Sequence, residues 1–431
     1  MILQILFIVL LGAAVYLFSR NAAKIRRNIL LGRDADRSDR PGERLITMLK
    51  VAFGQTKMAV RPVPAILHFI VYAGFIIINI EVLEIIIDGV AGTHRVLAPL
   101  LGGFYDFLIG SFEILALGVW LACAIFLIRR NILKLKRFNG VEMTAWPKSD
   151  ANYILVTEIL LMTAFLTMNA ADLKLQMAGS AHYFAAGSFP VSTYLTGLLP
   201  DAESALIGIE RACWWFHIIG ILAFLNYLPY SKHLHIMLAF PNTYFSNLNP
   251  KGKFSNMESV TNEVKAMLDP SFTPPVTENP GKFGAKDVND LTWIQLMNAY
   301  SCTECGRCTS VCPANITGKL LSPRKIMMDT RDRVTEMGKN IDLHGKDHND
   351  GKTLLDDYIS REELWACTSC NACVQACPVN IDPLAIIMDM RRYIVMEESA
   401  APASLNAMQT NVETNGAPWK FSPSDRMNWA N

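Results

Sequence analysis

The chain has 431 residues, 51% of them apolar and only 18% charged, with a mean hydropathy of +0.23. That balance excludes an ordinary soluble domain and points to membrane-embedded segments. The formal net charge of +1 identifies no partner and gives no ground for expecting nucleic acid, but the placement of the charges along the chain is informative.

A bilayer core takes about 20 mostly apolar residues in a helix. Five stretches qualify, at roughly 2–19, 64–87, 105–128, 152–172 and 207–228. The first has no charged residues before it. Arg20, Lys24, Arg26 and Arg27 follow it instead, so it reads as a retained span rather than a cleaved signal. A basic segment with Arg33, Arg37, Arg40, Arg44, Lys50, Lys57 and Arg61 comes next. The third span ends in Arg129 and Arg130, with Lys134, Lys136 and Arg137 beyond. The other two connections offer only Arg95 and Lys174. The positive-inside rule then puts the N-terminus outside and both basic loops in the cytoplasm, together with the C-terminal half, which makes this a multi-pass protein of the inner (cytoplasmic) membrane. Leu45 to Val60 reads either as an amphipathic helix on the inner surface or as a plain basic connector. Cys123 and Cys213 lie in apolar runs and read as packing residues.

Ionisable residues inside a membrane are costly and tend to be functional. His68 stands near the inner end of the second span, His217 in the middle of the fifth, and His233 and His235 just past its inner end. Imidazole is a standard axial ligand for haem iron. His68 and His235 match in depth and can hold one haem between two helices. His217 and His235 are about 18 positions apart, roughly 27 Å along a helix, so His217 would serve a second, outer haem. The stretch from His217 through Leu228-Pro229-Tyr230-Ser231-Lys232-His233-Leu234-His235 resembles the last helix of the respiratory nitrate reductase gamma subunit. The resemblance implies haem b ligation by His217 and His235, not by His233, with the inner partner at His68. Where that family has its other ligand of the second helix, this chain has Ile78. His94 and, after it, His182 are the candidate replacements. A single haem, or an outer haem with one protein ligand, stays open.

After Phe240-Pro241-Asn242 a polar stretch runs to about Asp290. With Pro270, Pro274, Pro275, Pro280, Gly281 and Gly284, residues 246–290 are expected to be an extended linker. Trp293 to Ala299 is expected to be a helix. Beyond it, Cys302, Cys305, Cys308, Cys312 and Pro313 have the spacing C-x2-C-x2-C-x3-C-P, which Cys367, Cys370, Cys373, Cys377 and Pro378 repeat. This is the bacterial ferredoxin run, which holds [4Fe–4S] cubes on four thiolates. In two-cluster proteins the fourth cysteine reaches over to the other cube. One cluster would then take Cys302, Cys305, Cys308 and Cys377, and the other Cys367, Cys370, Cys373 and Cys312. Disulfides or zinc are the competing readings of eight cysteines, and the double register speaks against both. Thiolate-bound clusters imply a reducing compartment.

Residues 313–366, between the runs, carry helix signals: Ser322 before Pro323, and the capping box Ser360-Arg361-Glu362-Glu363. Helices there point to the α-helical ferredoxin type, and the region 291–395 resembles the C-type dicluster component of heterodisulfide reductase. His344 and His348 read as solvated loop residues, and 396–431 as a mobile tail. No Cys-Cys pair, Cys-x-x-Cys-His or strand-borne G-x-G-x-x-G is present, so no substrate site beyond electron carriers is expected.

The expected fold is all-α: a five-helix transmembrane haem b domain over 1–245, joined to a cytoplasmic α-helical ferredoxin domain. By resemblance, fusions of this layout pass electrons between menaquinone or another quinone, haem b, two clusters and a cytoplasmic iron–sulfur partner with adjacent-cysteine motifs. The alternative is a non-enzymatic redox sensor or membrane anchor, which would not require the histidine set. A third reading, a terminal reductase in its own right, lacks a substrate site.

Overall fold

A computed structural model of the chain describes residues 1–275, 281–420 and 422–430. Pro280, one of the expected helix breakers of the linker, lies outside the described residues. Among the described residues there is no strand, only two isolated bridges. In chain order the first elements are α1 (Ile2–Ile29), the short α2 (Pro41–Met48), α3 (Pro62–Ala91), α4 (Gly103–Leu127), α5 (Trp146–Met177) and α6 (Glu203–Tyr227). All but α2 are long and apolar enough to cross a membrane. Of these, α3 and α5 overrun their apolar stretches at both ends; the 30 residues of α3 make a helix of roughly 45 Å, against a hydrocarbon core of about 30 Å. Proline in the first turn starts α3 and α5, where a missing N–H is harmless. Gly92, at φ 75°, ends α3 in the left-handed conformation that suits glycine.

The helices pack in sequence, α3 on α4, α4 on α5 and α5 on α6, and α1 closes the ring against α3 and α6. Phe7 of α1 fills the seam. It stacks 5.6 Å from Trp214 and leaves no room beside Gly89, where a Cβ would lie 2.6 Å from the Phe7 ring. The core of α4 runs through Ile109, Phe112, Ala116 and Cys123. Cys123 is buried there as a packing residue, so Cys123→Ser is expected to leave the iron content of purified protein unchanged. A drop in iron on assay would contradict this placement.

The C-terminal half has a separate core. Its elements are α7 (His235–Tyr244), α8 (Glu258–Leu268), α9 (Trp293–Tyr300), α10 (Pro323–His344), α11 (Arg361–Trp365), α12 (Pro383–Met396) and α13 (Ala403–Asn415). The expected signals act as read. Ser322 accepts the Lys325 N–H with Pro323 in the first turn, and Ser360 and Glu363 form a reciprocal capping box. Thr292 and Gln295 form another at the start of α9. Two stretches differ from the sequence reading: α8 interrupts the linker, and α13 gives helical structure to part of the tail. The stretch over 45–60 is helical only in part, α2 continuing as a wide turn over Leu49–Phe53.

The two halves are locked together rather than tethered. Ile29, at the end of α1, belongs to the C-terminal core. Asn28 donates to the Tyr300 hydroxyl at 3.0 Å, and Arg27 pairs with Asp342. Arg44, fully buried, donates to the backbone carbonyls of Asp39, Tyr244 and Ser246. Arg324 of α10 is held by Glu142 and the Arg137 carbonyl, from the loop between α4 and α5. Several arginines that mark topology in the sequence are thus also structural.

Candidate functional site

The two cysteine runs fold as copies of one loop. Glu304 and Ser369, each just before the second cysteine, have φ of 54° and 56°. Gly306 and Asn371, each just after it, have φ of 70° and 61°. Left-handed turns of this kind gather backbone N–H groups into an anion-binding hollow. The first run needs glycine at 306, because a Cβ there would meet Arg324 at 2.6 Å.

Each loop wraps a cavity, and the fourth cysteines cross over. One cavity is lined by Cys302, Cys305, Cys308 and Cys377, with Glu304, Arg307 and Arg324. The other is lined by Cys367, Cys370, Cys373 and Cys312, with Leu384 and Ile387. All ten cysteines are free thiols. Among the described residues no three His, Cys, Asp or Glu side chains converge on a point that suits a single ion. Four thiols line each cavity, the number that a [4Fe–4S] cube takes. Burial pushes the Cys302 thiol up to about 12 and Cys377 up to about 11. Bound iron supplies the positive charge that would hold such thiolates ionised. The N–H groups of Ser369 and Ile381 point at the sulfurs of Cys367 and Cys377, at 3.4 and 3.3 Å. Such bonds are among the levers that set cluster potentials.

The histidines divide into two groups. His68 of α3 and His235, at the start of α7, face each other with ring centroids 6.4 Å apart. A metal–imidazole bond of about 2 Å on either side, plus half of each ring, gives a separation of roughly 6 Å for two imidazoles on one iron. Each ring is fixed through Nδ1: His68 to Gln55 Oε1 at 3.0 Å, His235 to the Lys232 carbonyl at 3.1 Å. That leaves both Nε2 atoms for a metal, the usual orienting pattern. Burial lowers the affinity of His235 for a proton and so keeps its lone pair available. The residues present therefore fit a haem held by two histidines. His233 lies against Phe224, at 5.3 Å.

His217 is buried against Phe165, its Nδ1 3.1 Å from the Leu161 carbonyl. The structure does not bring His94 to it. His94 packs on Tyr183, at 5.0 Å, and the Tyr183 hydroxyl bonds Glu210 at 3.0 Å. Glu210 is two turns, roughly 10 Å, from His217 along α6, further than one iron bridges. His94 instead sits beside Asp172, at 3.5 Å. His182 is exposed. The connection between α3 and α4 is anchored by Arg95 to Asp172 and Asn169, and this holds His94, a candidate outer partner of His217, beside Asp172.

The surroundings of the histidine pair are bonded to residues that line the first cavity. The Gln55–Arg61 loop binds His68 through Gln55. Its Lys57 carbonyl accepts from Arg307 at 3.2 Å, and its Lys57 ammonium donates to Asn380 at 2.9 Å. The His235 turn is held by Asp150, which accepts from Ser231 Oγ and the Lys232 N–H. Lys232 reaches on to Glu304, between the first two cysteines. Arg331 takes the other Glu304 oxygen at 2.7 Å. Against its burial, Arg331 and Lys232 keep Glu304 below the usual carboxylate range. Cys370, in the lining of the second cavity, is exposed.

Sequence reasoning passed over one set of residues. Glu81, Glu84 and Asp88 of α3, Glu113 of α4, Asp172 of α5 and Glu210 of α6 are buried among the apolar helices. The signal was available: three carboxylates at i, i+3 and i+7 in an otherwise apolar span share one helix face.

Comparison with known proteins adds the family of one part. Residues 301–381, which hold both cysteine runs, match the model of the 4Fe-4S dicluster domain. This part of the chain is an iron–sulfur electron-transfer domain. The chain is 29% identical to the probable iron-sulfur-binding oxidoreductase FadF of Bacillus subtilis, over 99% of its own length and 60% of that protein. It is 25% identical to the EtfAB:quinone oxidoreductase of Syntrophomonas wolfei, over 98% of its length and 58% of that protein. A heterodisulfide reductase C-like protein of Archaeoglobus profundus is 27% identical over 26% of the chain and 49% of its own length. The chain thus spans about 60% of the length of the first two relatives. No solved structure matches it.

Proposed function

We propose that the chain is a membrane electron relay. A haem b held by His68 and His235 exchanges electrons with a membrane quinone such as menaquinone on one side. On the other it exchanges them with a cluster on Cys302, Cys305, Cys308 and Cys377. A second cluster on Cys367, Cys370, Cys373 and Cys312 hands them to or from a soluble partner at the Cys370 surface. Haem iron and [4Fe–4S] cubes each supply one-electron steps. The protein's own residues set the order. The observation that carries the reading is a pair of bonded links: the loop whose Gln55 holds His68 accepts from Arg307 at Lys57, and Lys232, whose carbonyl holds His235, pairs with Glu304; Arg307 and Glu304 both line the first cavity. The name of the S. wolfei relative supports quinone as one terminus and an EtfAB as the other, and the name of the A. profundus relative supports a heterodisulfide-reductase-like assembly. The basic loops at the cluster-bearing end of the bundle favour the cytoplasm for that end. His217, with Nε2 free, remains the residue for an outer haem with one protein ligand.

The test is haem b and non-haem iron per purified chain, from the pyridine haemochrome spectrum and an iron assay. One haem with about eight non-haem irons, four per cube, is the expected result. Two haems would assign the second to His217. About eight irons and no haem would sink the quinone relay and favour a redox sensor or anchor.

A further inference from the structure

We propose that Arg307 is a counter-charge shared by the two neighbouring redox centres, and that it raises the potentials of the first cluster and of the haem together. The inference rests on the relay reading above.

Three charged side chains line the first cavity: Glu304, Arg307 and Arg324. Two of them have partners of opposite charge. Glu304 pairs with Lys232 and Arg331, and Arg324 with Glu142. Arg307 is only 4% exposed, yet its guanidinium donates to a backbone carbonyl, that of Lys57, at 3.2 Å. The charges around it are the Cys305 and Cys377 thiols of the same cavity and Arg61, with no carboxylate among them. A buried cation without a counter-ion is costly, so the thiolates that face it are its counter-charge. Arg61 and Arg137 add like charge nearby, but both are half-buried and screened by solvent.

The same guanidinium reaches the surroundings of the histidine pair. Lys57, which accepts from it, stands two residues after Gln55, which holds His68 Nδ1 at 3.0 Å. Two residues span at most about 7 Å, and Arg307 is among the charges that act on His68. Arg61, at the other end of that loop, donates to Ser310 Oγ at 2.7 Å, and Ser310 donates to the Arg307 carbonyl at 2.8 Å. The loop is thereby pinned at two points on the turn that carries Arg307, which fixes the guanidinium relative to both centres.

Reduction adds one negative charge at a thiolate-bound cube or at haem iron. A fixed cation in a water-poor setting favours both reduced states. Because one charge moves both potentials the same way, the difference between them changes less than either does. Electrons can then pass between the two centres in either direction.

The test is a redox titration of the full chain in detergent, with the haem followed by visible absorbance and the clusters by magnetic resonance. Arg307→Gln is expected to lower the reduction equilibrium of the first cluster by roughly tenfold, about 59 mV for one electron. It should lower the haem potential as well and leave the second cluster unmoved. Arg307→Lys, which keeps the charge, should stay near wild type at both centres. Arg391, which donates to the Cys367 carbonyl, is the control, and Arg391→Gln should move the second cluster alone. If Arg307→Gln loses the first cluster, its haem is compared with that of Cys308→Ser, which lacks the same cluster and keeps Arg307. The haem potential of Arg307→Gln should then be the lower of the two. A haem potential unmoved by Arg307→Gln, or an equal shift in Arg307→Lys or Arg391→Gln, would overturn the proposal while the relay reading stands. Wild-type protein with both clusters and no haem would overturn that reading and this one together.

Discussion

His68→Ala and His235→Ala proteins are each expected to purify without the haem held between α3 and α7, while both clusters remain. The rings stand 6.4 Å apart, and each is oriented by a bond to its other nitrogen. Removing one therefore removes half of the coordination and leaves the other ring unable to hold the iron alone. The clusters should survive because they sit in a separate core. The spectrum of a haem with two imidazole ligands should be lost, with iron content otherwise unchanged, and added imidazole should restore part of the spectrum in His68→Ala. Loss of cluster signals with the haem retained would contradict the assignment.

Cys377→Ser is expected to damage the cluster of the first run although the residue belongs to the second. Its sulfur lines the cavity of Cys302, Cys305 and Cys308 and accepts the Ile381 N–H. A serine oxygen is a poor substitute for a thiolate on iron, so up to half of the non-haem iron should be lost or converted to a smaller cluster. Cys312→Ser should do the same at the second cavity. Magnetic-resonance spectra of the reduced protein separate the two signals. If Cys377→Ser altered the signal that Cys370→Ser also alters, the crossed arrangement would be wrong.

Much of this protein is legible in its sequence because the signals are local. An apolar run long enough to span a bilayer forms a helix wherever it lies, and five such runs give the five long helices. The capping box at Ser360 and the Ser322-Pro323 start need only neighbours three or four residues away. The repeated cysteine spacing places three thiols of each set on one loop, and the match over 301–381 agrees with the dicluster reading. Polar composition is a poor guide in the linker, where α8 forms in a stretch expected to be extended.

What the tertiary structure alone decides are contacts between residues distant along the chain. Cys312 joins the ring of Cys367, Cys370 and Cys373 only because the two loops close face to face. Lys232 meets Glu304, and Lys57 meets Arg307, only because the ferredoxin half docks on the end of the bundle. Oε2 of Glu81 has no hydrogen-bond partner while Glu84 and Asp88 on the same helix do, a difference that no periodicity encodes. His94 stands beside Asp172 because Arg95 ties its loop to Asp172 and Asn169. Periodicity and residue spacing specify each helix and each metal-binding loop from within; packing and buried charge pairing decide which of them share a site.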